Sequence, residues 1–281
     1  MSMIIGKALI AGGGTAKRLE FEYTGTYNER LEDGVVELLT SGVITFKKDT
    51  IIDAFLVGGG GSGGSADYDG TYGGGGGGGG YTTTQKNFVV KGKTQYPIVV
   101  GSGGPKQTTR LKVGNSGGDT TAFGFTANGG RAYPNTAYNG SNGNYGGSGG
   151  GAAGANSSGN NYGGVGGSDG SDGANQASNP GGKGQGTTTR EFGESTGKLY
   201  SGGGGGGPYS ALNDNSNTNH GGEGGGGRGG WTYAGTTHPP TPGTDGLGGG
   251  GGGGICSATA VNWNGAAGGS GIVCIRLHKE A

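Results

Sequence analysis

The sequence predicts a mainly β protein with much irregular extended structure: an antiparallel, jelly-roll-like β-sandwich continuous with a bundle of polyglycine II helices. Three observations predict it. Glycine comes in uninterrupted runs, Gly58 to Gly61, Gly73 to Gly80, Gly202 to Gly207, Gly224 to Gly227 and Gly248 to Gly254. Short segments rich in Val, Ile, Leu, Phe and Tyr lead straight into such glycines, as Ile51 to Val57 does into Gly58. Elsewhere glycine returns at every third residue, at Gly140, Gly143, Gly146 and Gly149 and again at Gly164, Gly167, Gly170 and Gly173.

Glycine loses more backbone entropy on ordering than any other residue. With 81 glycines and 8 prolines in 281 residues, composition alone fits low-complexity disorder. The apolar segments argue against it, because a flexible linker has no use for them. Side-chain-free backbones offset their ordering cost when extended threefold helices lie side by side, each N–H bonded to a carbonyl of a neighbour. One run cannot do this alone; several can.

The first 17 residues carry a small apolar patch (Ile4, Ile5, Leu9, Ile10) and read as an N-terminal attachment segment; residues 18–281 read as one glycine-rich domain. From Arg18 the period is two, with Leu19, Phe21 and Tyr23 alternating with Arg18, Glu20 and Glu22, the mark of a half-buried strand. Tyr27 to Gly34 reads as a turn. Val35 to Leu39, Val43 to Phe46 and Ile51 to Val57 read as strands, the last apolar enough to be buried on both faces. Phe88 to Lys91 and Tyr96 to Gly101 read as a hairpin around Gly92-Lys93, followed by strands over Arg110 to Val113 and Thr120 to Phe125. Ile272 to Leu277 closes the chain, expected in one sheet with the first strands. Strands are thus expected mainly in 18–57, 86–125 and 271–278, and the bundle in 58–80 and 126–270. Every-third glycines read as outer helices with a bare edge turned inward.

Function classes narrow quickly. The formal net charge is zero, so nothing steers the protein to nucleic acid or an anionic membrane. No apolar run approaches the roughly 20 residues of a membrane-spanning helix, and Met3 to Ala11 is too short and poorly flanked for a convincing signal peptide, so export, if any, is expected by another route. Cys256 and Cys274 are the only cysteines; whether they pair is open. Gly92-Lys93-Thr94 lacks the upstream glycine of a phosphate loop, where Asn87 stands. Asp169 and Asp172, three apart on a threefold helix, are too far apart to share a calcium ion and read as a solvated edge. His220, His238 and His278 have no metal-ligand spacing. No cofactor, metal or catalytic residue is expected, and the chain reads as non-enzymatic. Lys86, Lys91, Lys93, Lys106, Arg110 and Lys112 form a basic stretch without acids, read as a solvated face or a contact for an anionic glycan.

Between glycine runs lie polar insertions that carry aromatics: 131–138, 156–162, 208–220, 231–245 and 257–264. Rigid aromatics among Asn, Ser, Thr and Gly resemble the makeup of antibody loops. Antiparallel helices would gather alternate insertions at one end. Candidate binding residues are Tyr133, Tyr138, Tyr209, Asn213, Trp231, Tyr233, His238 and Trp263; the plainer reading is that the aromatics cap the bundle.

The segments Phe55 to Gly61, Pro97 to Gly101, Thr187-Thr188-Thr189-Arg190-Glu191-Phe192-Gly193-Glu194, Leu199 to Gly202 and Gly271 to Val273 resemble glycine-rich domain proteins of bacteriophages and prophages of gut bacteria. The likeness is specific at the Thr187–Glu194 block and compositional elsewhere. More distantly the chain is similar to tail-fibre tip adhesins, in which a polyglycine helix sandwich carries variable loops, and to the glycine-rich extracellular domain of some receptor tyrosine kinases. The resemblance implies a virion component, made in the bacterial cytoplasm, that touches a bacterial surface glycan or outer protein and joins other tail-fibre subunits through its N-terminal part. The alternative is a structural tail or surface-assembly subunit that self-associates or docks. Host, receptor and oligomeric state stay open at this level.

Overall fold

The computed structural model describes residues 4–9, 18–66, 73–131, 145–154, 170–174, 187–208, 219–233, 236–255 and 264–279; of 4–9 and 232–233 only the backbone is described. Among them the chain is almost all strand and extended backbone. The strands are β1 (Ile4–Leu9), β2 (Arg18–Tyr23), β3 (Tyr27–Arg30), β4 (Val35–Leu38), β5 (Gly42–Phe46), β6 (Thr50–Val57), β7 (Thr82–Val90), β8 (Gln95–Val99), β9 (Thr120–Ala122), β10 (Phe125–Ala127), β11 (Trp231–Tyr233), β12 (Thr236–His238) and β13 (Ile272–Leu277). They form a six-stranded sheet in the order β1-β2-β5-β8-β9-β10, a five-stranded sheet in the order β3-β4-β13-β6-β7, and the small β11-β12 pair. All neighbours are antiparallel.

The two large sheets share one core. Leu19, Phe21, Tyr23, Ile44, Phe46, Ile98 and Ala122 from one meet Val36, Leu38, Ile52, Ala54, Leu56, Val90, Val273 and Ile275 from the other. The period-two reading of Arg18–Tyr23 is matched residue by residue, with Leu19, Phe21 and Tyr23 buried. The apolar run into Gly58 is the central strand β6, with its last six residues buried. The closing strand sits between β4 and β6 and does not share a sheet with the first strands, since β1 and β2 lie in the opposite one.

Four local expectations change. Tyr27–Arg30, read as a turn, is an edge strand paired with β4; partner backbone supplies what its polar sequence does not advertise. The supposed hairpin around Gly92-Lys93 joins strands of different sheets, since β7 pairs with β6 and β8 with β5. Arg110–Val113 is no strand: Arg110 and Leu111 form a turn, with Leu111 at φ 52°, and Lys112 and Val113 are irregular. Thr120–Phe125 is two strands, because Phe123 (φ 56°) and Gly124 (φ 83°) make a tight turn of primed type.

Beyond Val57 the glycine segments are buried: 58–66, 73–80, 201–208 and 248–255. They lie outside any sheet, yet their amides are bonded. Gly58, Gly61 and Gly64 donate to Tyr81, Gly78 and Gly75; Gly59, Ser62 and Ser65 to Gly118, Asn115 and Lys112; Gly60 and Gly63 to Gly269 and Ala266, all at 2.8–2.9 Å. Every third amide therefore meets the same neighbouring segment, and three successive amides meet three different ones. The same rule holds in the longest run, where Gly73, Gly76 and Gly79 donate to Gly154, Gly151 and Ser148, and Gly74, Gly77 and Gly80 to Gly254, Gly251 and Gly248. Side chains obey the spacing too: Gly173 packs where a Cβ would lie 2.0 Å from the Gly150 carbonyl oxygen, while Asp172 beside it is exposed.

The Thr187–Glu194 block clamps the outer face of the five-stranded sheet. Phe192 and Tyr200 join Val35, Phe55, Val57, Ile272 and Cys274 in a second apolar cluster. Phe55 meets Tyr200 edge-on at 5.1 Å. Charged groups fasten the rim: Arg30 binds Glu191 at 2.5 Å, and Arg276, its Cζ 4.1 Å from the Phe192 ring centroid, binds Glu194 at 2.5 Å and Asp53 at 3.2 Å. Cys274 is a free, buried thiol; Cys256 lies outside the described residues. Burial pushes the Tyr200 phenol and the Cys274 thiol far above their ordinary values, so both keep their protons.

Burial alone would raise the Asp53 carboxyl, but hydrogen bonds from His278, the Asn87 amide and Arg276 outweigh it and hold the carboxyl low. The hydrogen bond from Arg276 lowers Glu194 as well. A depressed folded-state carboxyl contributes stability that is complete above its unfolded value, about 4, and is lost as pH falls through the folded value. The urea midpoint is expected to hold from neutrality down to about pH 5 and to drop below about pH 4, with a shallower drop in Arg276→Gln.

Candidate recognition surface

The hydrogen-bond register fixes which end of the glycine segments each insertion leaves from. Residues 58, 81, 101, 118, 128, 201, 248 and 271 adjoin the large sheets or pair with segments that do. Following the threes away from them, Gly64 meets Gly75 and Gly254, Gly207 meets Gly74, Gly154 meets Gly207, Gly230 meets Gly253, and Gly265 meets Gln107. The far pole therefore collects the chain at 66 and 73, 107–112, 154, 208 and 219, 230–241, and 255 and 264. The insertions 208–220, 231–245 and 257–264 leave the described segments there, three in succession and not the alternate ones that the antiparallel argument expects. The insertion at 131 does not: Arg131 donates to the Tyr145 carbonyl, beside Gly147, which bonds to Gly79 near the sheets.

Of the eight candidate residues, Tyr133, Tyr138, Tyr209, Asn213 and Trp263 lie outside the described residues. Trp231, Tyr233 and His238 come together on the β11-β12 pair, where Trp231 faces His238 and Tyr233 faces Thr236 in register. The indole and imidazole stack at 4.5 Å with 12° between their planes.

Two further residues complete this patch and were missed in the sequence. Arg228 lays its guanidinium over Trp231, 3.9 Å from the ring centroid, a contact worth about 0.5–1 kcal/mol at an exposed site. Its Nε donates to Asn219 Oδ1 at 3.0 Å, and Asn219, only 1% exposed, donates through Nδ2 to the carbonyls of Gly229 and Gly230 at 2.9 and 2.7 Å. Arg228 was legible as the lone cation inside a glycine run; Asn219 carried no signal beyond its place at the end of an insertion. Thr241, also within the expected loop, instead accepts from the Arg228 amide through Oγ1 and donates its own amide to the Arg228 carbonyl. The insertion is thus shorter than its composition suggests, and it stands on a fixed base. With Arg228 and His238 both against the indole, Trp231 is part of that base; the exposed positions around it are Thr236, Pro239, Thr241 and Pro242.

The basic stretch does not form one surface. Lys91 and Lys93 lie at the pole away from the glycine segments, Lys91 paired with Asp49 at 2.8 Å, whereas Lys106, Arg110 and Lys112 belong to the opposite pole. Among the described residues no helix is long and apolar enough to cross a membrane.

No curated protein matches the chain. A family model described as a glycine-rich domain matches residues 39–278. That span holds seven of the eleven strands of the two large sheets, since β1 to β4 precede it, and it takes in every glycine segment, the Thr187–Glu194 clamp and the Trp231 patch. The chain belongs to the glycine-rich domain family.

Proposed function

We propose that the protein is a non-enzymatic recognition module in which a jelly-roll-like sandwich carries a bundle of polyglycine II helices, and the bundle presents polar, aromatic loops to a bacterial surface glycan or outer protein. The observation that carries this reading is the register of the glycine segments, which opens three of the five aromatic insertions at one pole. A threefold helix with about 3.1 Å rise per residue sends successive amides in three directions, as the amides of 58–65 go. Such a platform lowers the ordering cost of binding compared with the same loops on a floppy stalk. The resemblance to phage glycine-rich proteins suggests the setting, the tip of a tail fibre on an extracellular virion. Neighbouring fibre subunits would then sit at the sheet end.

The test replaces 209–218 and 232–237 with short glycine-serine links, sparing Asn219, Trp231, His238 and Thr241, which belong to the platform. Binding to a panel of bacterial cells and purified surface polysaccharides is expected to vanish while the melting temperature holds. Unchanged adsorption of both variants sinks the recognition role.

One observation favours the alternative of an assembly subunit. Ile51 and Val89, cross-strand partners on β6 and β7, are 45% and 51% exposed, an apolar pair at the pole away from the bundle. If docking through this pair were the main function, Ile51→Lys would abolish association with itself or with a neighbouring subunit and leave cell binding untouched.

A further inference from the structure

Beneath the clamp, three ligand-bearing side chains from distant parts of the chain converge on the outer face of the five-stranded sheet. Cys274 of β13 and Glu37 of β4 are cross-strand partners, and the short 3₁₀ turn Glu191–Gly193 lowers Glu191 over them. The Cys274 sulfur and one carboxylate oxygen from each glutamate lie within 4.8 Å of one another, and all three residues are buried. We propose that Glu37, Glu191 and Cys274 bind a divalent cation of the zinc class, which ties the clamp to the sheet.

An independent observation points to a ligand here. Glu37 is 7% exposed, yet its Oε1 has no hydrogen-bond partner, and neither has the buried Arg30 Nε. The nearest cations, Arg30 Nε at 3.5 Å and Lys198 Nζ at 3.6 Å, stand beyond hydrogen-bond geometry. A buried carboxylate oxygen left this way is costly, and a metal bond would satisfy it. The other oxygen, Oε2, accepts from Asn28 Nδ2 at 3.2 Å, the kind of outer partner that orients a ligating carboxylate.

Charge agrees. Glu37, Glu191 and Asp33 face Arg30 and Lys198, so three carboxylates against two cations leave one negative charge. A divalent ion that takes the place of the thiol proton cancels it: the S–H bond breaks, the proton goes to water, the sulfur–metal bond forms, and nothing is oxidised or reduced. A sulfur with two carboxylates suits zinc or cadmium and not the oxygen-seeking magnesium or calcium. The Tyr200 hydroxyl donates to Glu191 Oε1 at 2.7 Å and lies 3.7 Å from the Cys274 sulfur, at the border of the cluster.

The test titrates the full chain with Cd2+ and reads the ultraviolet thiolate-to-cadmium band together with the melting temperature. Expected are saturation at one equivalent, a higher melting temperature reversed by a chelator, and no response to Mg2+ or Ca2+. The band should persist in Cys256→Ser and vanish in Cys274→Ala. Asn28→Ala, at an exposed position, should weaken binding about tenfold or more, compared at a temperature where both metal-free proteins are folded. Absence of saturable binding in the unaltered chain, or a band that survives in Cys274→Ala, overturns the proposal. Should Cys274→Ala fail to fold, an Asn28→Ala affinity equal to that of the unaltered chain overturns it instead.

Discussion

Gly77→Ala is expected to destabilise the protein by about 3 kcal/mol or more, read as a lower urea midpoint. A Cβ at this position would lie 2.1 Å from the Gly61 carbonyl oxygen and 2.8 Å from its carbon. The obstacle is backbone, so no rotamer change can clear it. Moving either segment aside disturbs three bonds at once, from Gly61 to Gly78, from Gly77 to Gly251 and from Gly204 to Gly77, each worth about 1 kcal/mol net. Gly124→Ala is the control: its Cβ meets nothing within 4 Å, and only the positive φ of 83° opposes it, for about 1–2 kcal/mol. In a flexible linker the sign would reverse, because alanine restricts the unfolded chain and costs the folded state nothing.

Phe192→Ala is expected to cost about 3–5 kcal/mol. The ring is 1% exposed and lies against Phe55, 6.2 Å between centroids, beneath the Arg276 guanidinium. Removing it opens a cavity between clamp and sheet and strips Arg276 of a neighbour while its ties to Asp53 and Glu194 remain. The backbone cannot collapse freely into the gap, because Glu191, Glu194 and Tyr200 anchor the turn on either side. Urea unfolding measures the loss. Limited proteolysis should then cut first within 187–200, since that segment covers the sheet and is not part of it.

The Thr187–Glu194 block shows how sequence and structure differ in what they reveal. Its specificity marked it as the best sign of kinship, yet nothing in Thr-Thr-Arg-Glu-Phe-Gly-Glu says that it covers a sheet face. Its partners Arg30, Asp53 and Arg276 are supplied from far along the chain, and only folding brings them together. The sandwich was legible where one face is buried, as in Arg18–Tyr23 and Ile51–Val57, because apolar residues there must obey the strand period. It was illegible in Tyr27–Arg30 and in the Thr82–Asn87 half of β7, polar edge strands held by a neighbour's backbone. The glycine segments announced themselves by spacing, but their three-way partnering is a property of the assembly. At the far pole, Trp231 and His238 were found as aromatic-loop residues; the Arg228–Asn219 support beneath them was not, since its logic is hydrogen bonding to glycine carbonyls and leaves no pattern in composition.

Amide hydrogen exchange in the glycine segments tests the central claim most directly. If the buried backbones of 58–66, 73–80, 201–207 and 248–254 hold one another, the amides of Gly61, Gly77, Gly204 and Gly251 exchange only on global unfolding, as slowly as those of β6 and β13. Exchange at these glycines at the rate of an unstructured chain, while β6 and β13 stay protected, would contradict the account: the sandwich would then stand alone, with no platform beneath the loops.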